Sequence, residues 1–200
     1  MPVRINTPIS IAIIQKEHED LSRVIEGMLY LVRAIQDGAA PPDLCLLRAM
    51  LYYITEYPER VHHPKEDQYL FSRIKERTHQ LDTELDALSE QHSKGELLAH
   101  GLQHALLRYE FGGIDAFPHL HRLVEQYAHF YFAHMRVEEE RIIPVAKQIL
   151  TEADWKTIDT AFLENQKMID ATGQRYHYEH LLSLIIDIAP QQTESGNLMI

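Results

Sequence analysis

Residues 127–149 read YAHFYFAHMRVEEERIIPVAKQI. Tyr127, Tyr131, Ile142, Val145 and Ile149 recur at helical spacing, and His134 and Glu138 fall in the same stripe. Four residues advance about 400° on an α-helix, so a His-x-x-x-Glu pair sets both side chains on one face, about 6 Å apart along the axis. Such residues in a core-packing face call for a partner, because burying either one unpaired costs several kcal/mol. The stripe extends back through Leu123 and Leu120 to a helix start near Ala116 or Pro118 and forward to Leu150, with Pro144 expected to kink the last turns.

Three more stripes precede it. Ile11, Ile14, Leu21, Ile25, Met28 and Val32 predict a helix from Ser10, read as its N-cap, to the stop at Asp37-Gly38, with His18 in the apolar face. After the Pro41-Pro42 break, Leu47, Leu51 and Ile54 open a second helix that carries His62 and Glu66, a second His-x-x-x-Glu pair, before Tyr69 and Leu70. Pro58 and Pro64 should bend or briefly interrupt it. The third, from about Leu81 to Tyr109, has Leu85, Leu88, Ala99, Leu102 and Leu106 on the face that holds His92, and Phe111-Gly112-Gly113 ends it. Residues 152–170 and 174–188 read as two shorter helices, and the tail from Pro190 as frayed. The expectation is all-α: an up-down-up-down four-helix bundle over residues 1–150, with 151–200 a C-terminal helical extension packed on the same domain.

Composition narrows the function. Lys and Arg total 19 against 30 Asp and Glu, a formal net charge of −11, which argues against a nucleic-acid partner. Absence of an apolar run of spanning or signal length predicts no membrane partner and a cytoplasmic protein. The single cysteine, Cys45, excludes an internal disulfide or a thiolate cluster within one chain, so a metal would need histidine and carboxylate.

Thirteen histidines are many for 200 residues, and depth in the bundle sorts them. His18 lies 18 residues before Gln36 and His62 lies 19 after Asp43. His92 precedes Glu110 by 18, and His134 follows Ala116 by 18. Across the second turn Glu66 lies 11 residues before Arg77, and His92 lies 11 after Leu81. At about 1.5 Å per residue, His18, His62, Glu66, His92, His134 and Glu138 converge on one layer. The pair His100 and His104 lies about 12 to 18 Å from His92 along the axis and is read as solvent-facing, as are His119, His121, His177 and His180. His63 follows a ligand by one residue and should point elsewhere, with a rim or supporting role as its alternative. Imidazole and carboxylate without thiolate suit Fe, Mn or Zn, and carboxylates paired between helices are the arrangement of di-iron and di-manganese bundles.

In QKEHEDL (15–21), HHPKEDQYLF (62–71), EQHSKGELL (90–98) and HMRVEEERIIP (134–144) the chain resembles the hemerythrin-like HHE cation-binding family of bacterial type. The likeness covers residue 10 to about 150, and WKTIDTAF (155–162) is similar to an extra helix of bacterial members. The resemblance implies two iron ions, with Zn or Mn as substitutes, bridged by Glu66, Glu138 and an oxo or hydroxo group, with the histidines as terminal ligands. The family's oxygen carriers place a His-x-x-x-His pair on the third helix and an aspartate as second bridge. Here the third helix offers His92 and Glu96, which makes Glu96 a candidate additional ligand, and the second bridge is Glu138.

Open metal positions near Tyr127 and Tyr131 would bind a small ligand such as O2, peroxide or NO, in oxidative or nitrosative stress or in repair of iron centres. Ordinary core packing with a satisfied hydroxyl is the first explanation of both tyrosines, and hydrogen bonding to a bound ligand the second. Di-iron oxidoreductase or peroxidase-like activity is compatible with this site, as is an iron, oxygen or redox sensor that acts through a protein partner or homodimer.

Overall fold

The computed structural model describes residues 7–38, 44–171 and 179–185. Helix α1 (Ile9–Gln36) ends where Gly38, at φ +90°, takes a backbone conformation that disfavours any Cβ. Its start differs from the sequence expectation. Ser10 is not the N-cap, for α1 begins at Ile9 behind Pro8 and has no side-chain cap of its own. Asp159, from a distant helix, accepts the Ser10 N–H (2.8 Å) and Oγ–H (2.6 Å) and the Ile9 N–H (3.2 Å). A tertiary carboxylate thus satisfies donors that a helix start leaves unpaired.

The second arm runs from α2 (Leu44–Tyr57) through a π turn (Pro58–His62), α3 (His63–Lys65) and a second π turn (Glu66–Phe71) to α4 (Ser72–Arg77). The bend expected at Pro58 and Pro64 takes this form. Proline lacks the N–H that closes an i→i−4 bond, and the widened turn lets neighbouring N–H groups reach one residue further back. His63 N–H donates to Pro58 O, and Ser72 N–H to Asp67 O. After α5 (Asp82–Gly112), Gly113 at φ +66° turns the chain through a short 3-10 segment. The fourth arm is α6 (Phe117–Val137), a π turn (Glu138–Ile142) where Ile143 N–H donates to Glu138 O, and α7 (Ile143–Ile149) with Pro144 just inside it.

Ion pairs record the direction of the arms. Arg33 near the end of α1 meets Glu125 near the start of α6 at 2.7 Å, and Arg48 at the start of α2 meets Glu110 at the end of α5 at 2.7 Å. Lys75 in α4 meets Asp86 early in α5. Each pair joins the end of one arm to the beginning of its neighbour, the signature of an antiparallel bundle.

The core has two apolar layers. One holds Leu21, Ile25, Met28, Leu51, Ile54, Leu102, Val124 and Tyr131, and the other Ile11, Ile14, Leu70, Phe71, Leu85, Leu88, Ile142 and Ala146. Between them each arm interrupts its stripe with buried polar groups: His18 between Ile14 and Leu21, His62 and Glu66 between Ile54 and Leu70, His92 between Leu88 and Ala99, His134 and Glu138 between Tyr131 and Ile142. Helix α8 (Glu152–Ala171) buries Ile158 and Phe162 in the second layer. Its start is fastened by a reciprocal cap in which Thr151 N–H and Oγ–H donate to Asp154, and Asp154 N–H donates to Thr151 Oγ. Arg77 grips both oxygens of Asp154 at 2.9 and 2.7 Å. Helical residues 179–185 set Ile185 against the first layer. The remainder of the sixth helix read from the sequence, His177 and the tail beyond Pro190 lie outside the described residues. Among the described residues no helix is long and apolar enough to cross a membrane.

Candidate metal centre

The polar layer is a compact cluster. Ligand atoms of Glu66, His92, His134 and Glu138 all lie within 4.8 Å of one another, and so do those of His18, His62 and Glu66. The two groups share Glu66. Glu138 also reaches both, with Oε1 at 3.2 Å from His134 Nε2 and Oε2 at 3.3 Å from His18 Nε2. The π turns contribute directly, since His62 closes one while Glu66 and Glu138 each open another.

All four of these histidines use Nδ1 outward and Nε2 inward. His18 Nδ1 donates to Glu139 (2.9 Å), His62 Nδ1 to Glu17 (2.6 Å), His92 Nδ1 to Asp67 (2.8 Å) and His134 Nδ1 to Gln91 (3.0 Å). Holding the proton on Nδ1 leaves the Nε2 lone pair for a metal, as the outer partners of metal-bound histidines do. Each partner sits next to a candidate ligand in sequence, but to a candidate ligand of another arm. Glu17 precedes His18, Asp67 follows Glu66, Gln91 precedes His92 and Glu139 follows Glu138. A neighbour on a helix points about 100° away, toward the adjacent arm, so the four contacts close a ring around the bundle.

Sequence reasoning missed this ring and the buried Lys65, 2% exposed, whose ammonium donates to Glu17 at 2.8 Å and lies 5.1 Å from the Phe162 ring centroid. Tyr57 Oη donates to the same carboxylate at 2.8 Å.

The electrostatics suit a cation site. Burial works against the charge of Glu138, yet His134, His18 and His92 outweigh it and hold the carboxyl well below the usual range. At Glu66 burial and the charge of Glu138 act together and push its carboxyl well above that range. Burial opposes protonation of His18 and His92, but Glu138 and Glu139 around the first, and Asp67 and Glu138 around the second, raise both to about 10. Burial takes His62 down to about 4 and His63 well below the usual histidine range. Protons on His18, His92 and Glu66 therefore stand where cations would balance the carboxylates.

The donors fit a metal. Both oxygens of Glu66, both oxygens of Glu138 and the Nε2 atoms of His92 and His134 are buried without a hydrogen-bond partner, a costly state unless something else binds them. His18 Nε2 and His62 Nε2 meet at 3.1 Å, so these two nitrogens would be the ones to hold an ion on that side.

The other candidates distribute differently. Glu96 is 62% exposed with its carboxylate turned toward His100, so it lies outside the cluster; the third arm turns it to solvent one helical step beyond His92. His100, His104, His119 and His180 are exposed, and His121 is half-buried with its ring stacked on Phe117. His63 does not point elsewhere. The π turn ahead of it alters the register, and the ring is buried against those of His92 and His134. Tyr131 lies 5.9 Å from His134 between ring centroids, and Tyr127 packs on Tyr131 from the apolar side at 4.5 Å.

No curated protein and no solved structure matches the chain. One family description does, the hemerythrin HHE cation binding domain, over residues 9–146, from the first residue of α1 into α7. That span contains the cation cluster and the four arms that build it, and the chain belongs to the hemerythrin HHE cation binding domain family.

Proposed function

We propose that this chain holds a pair of iron ions in the polar layer, with Mn or Zn as substitutes, and binds a small ligand such as O2, peroxide or NO. The observation that carries the reading is the overlap of two donor groups, His18, His62 and Glu66 on one side and Glu66, His92, His134 and Glu138 on the other. Glu66 and Glu138 are the bridging candidates, because each reaches histidines of both groups. Histidine and carboxylate donors without thiolate suit iron, and four histidines with two shared carboxylates leave metal positions open to a ligand. When bound, the metal pair supplies Lewis acidity and electrons to that ligand.

The protein's share is positional. The outer ring fixes each imidazole tautomer, and the apolar layers keep bulk water from the carboxylates. An open surface groove of about 430 Å³, walled by Ser22, Arg23, Met135 and Glu139, lies beside His18. Reconstitution with ferrous iron under nitrogen should give about two metals per chain, with His62→Ala and His134→Ala each losing one side. Titration of the ferrous protein with O2, peroxide and NO should change its spectrum. Failure to hold metal, or silence toward all three ligands, overturns the proposal.

A second reading, a metal or redox sensor, draws on the packing of Lys65 against Phe162, which couples the layer to α8. It predicts different protease protection of α8 in metal-free, ferrous and ferric forms, and identical patterns would end it.

A further inference from the structure

One of the carboxylates in the outer ring differs from the others. Glu139 behind His18 and Asp67 behind His92 are 43% and 37% exposed, and among the described residues neither pairs with a lysine or arginine. Glu17 behind His62 is only 7% exposed and faces the buried ammonium of Lys65. Its two oxygens divide the work. Oε2 accepts the His62 Nδ1 proton at 2.6 Å, and Oε1 accepts from Lys65 Nζ and from Tyr57 Oη, both at 2.8 Å. Lys65 stands three residues after His62 and one before Glu66, so the short helix α3 carries a cation into the layer of the candidate ligands. Phe162 of α8 lies over it, with the ring centroid 5.1 Å from the ammonium.

Burying an ammonium costs several kcal/mol, so a charge placed here calls for a role beyond packing. Water screens the charges of Glu139 and Asp67, but little screens one at this depth. A cation on Oε1 draws electron density from the carboxylate. The carboxylate then pulls less on the Nδ1 proton, and His62 becomes a weaker donor at Nε2. Resting on the metal-pair reading above, we propose that Lys65 is a positioning residue for redox chemistry: acting through Glu17, it lowers the donor strength of His62 and holds the reduction potential of the iron pair up. Glu17 keeps the tautomer of His62 fixed, while Lys65 removes part of the electron push that would otherwise favour the ferric form.

The test uses full-length protein reconstituted with iron and potentiometry followed by visible absorption. Lys65→Met should raise ferric over ferrous affinity about tenfold, a negative shift of about 59 mV for one electron. Lys65→Gln, which keeps a donor to Glu17 but no charge, should shift the potential the same way, and Lys65→Arg should return it toward the wild-type value. A metal-free readout separates this from a packing defect: in Lys65→Met the His62 Nδ1 proton resonance should move downfield, because Glu17 accepts that proton more strongly. A resonance that stays in place would overturn the route through Glu17. Unchanged or more positive potentials in both neutral variants would overturn the proposal, and so would loss of iron from both, which would make Lys65 a structural support. Wild-type protein that takes up no iron would overturn the metal-pair reading and this proposal together, whereas iron uptake by wild type and variants at one shared potential would overturn this proposal alone.

Discussion

Gln91 Oε1 accepts the Nδ1 proton of His134 at 3.0 Å, the one neutral link in a ring whose other acceptors are the carboxylates of Glu139, Glu17 and Asp67. A carboxylate behind a histidine raises its basicity as a ligand, and an amide fixes its tautomer with less push. The His134 side should therefore be the weaker and more exchangeable of the two proposed metal positions. Gln91→Leu is expected to lower metal affinity about 10–100-fold at that position, and Gln91→Glu to raise affinity and shift the reduction potential negative. Competitive chelator titration and potentiometry would check both, and equal behaviour of all three proteins would refute the assignment.

Glu17 is the hub of the same ring, accepting bonds from His62, Lys65 and Tyr57 while nearly buried. Burial opposes its charge, but His62 and Lys65 prevail and lower its carboxyl to about 2, against an ordinary 4.5. A depressed carboxylate stabilises the fold fully above its unfolded pKa and loses that contribution as pH falls through the folded one. The metal-free protein should thus lose on the order of 3 kcal/mol from this group between about pH 5 and pH 2. Glu17→Gln should flatten that acid limb in urea titrations and lower stability near neutrality by about 3 kcal/mol or more, because the Lys65 ammonium remains buried without its counter-charge. A variant as stable as wild type at pH 7 would contradict this.

Glu66 and Glu138 test whether the layer exists for a cation. Their four oxygens lie buried without hydrogen-bond partners, an arrangement that costs stability whenever no metal is bound. Glu66→Met should make the metal-free protein more stable by about 1–4 kcal/mol while abolishing paired metal uptake. Opposite signs on the two measurements, thermal unfolding of the metal-free form and metal content after reconstitution, are the expected outcome. Loss of stability in the metal-free variant would make Glu66 a structural residue instead.

The sequence was most readable where one period dominated. Depth counting from the turns brings His18, His62, Glu66, His92, His134 and Glu138 to one layer because straight helices keep 1.5 Å per residue, and their ligand atoms do lie together. It failed on His63, since a regular α-helix sends adjacent side chains about 100° apart and only the π turn at Pro58–His62 brings both rings inward. Glu96 failed for the converse reason: α5 is regular around His92, and the His-x-x-x-Glu spacing ends with an exposed carboxylate. The outer ring had a signal that went unread. In antiparallel arms viewed from one end, the residue before a ligand on one arm turns the same way as the residue after a ligand on the next. Glu17, Asp67, Gln91 and Glu139 follow that alternation. The cap of α1 had none, because Asp159 stands 149 residues from Ser10.

That cap gives the last prediction. Asp159 accepts the Ile9 and Ser10 N–H groups and the Ser10 hydroxyl, joining α8 to the start of the arm that carries His18. Unpaired N–H groups of a first turn are otherwise satisfied by an N-cap side chain, and removing such an acceptor costs about 0.5–2 kcal/mol. Asp159→Ala should lower stability by that amount and raise hydrogen exchange at the amides of the first turn of α1, whereas Ser10→Ala, which loses only the hydroxyl bond, should cost less. His18 lies two turns further along and is held by Glu139, so metal content should survive both changes. Unchanged exchange at Ile9 and Ser10 in Asp159→Ala would show that water replaces the carboxylate at no cost, and loss of metal would show that the first turn of α1 sets the position of His18.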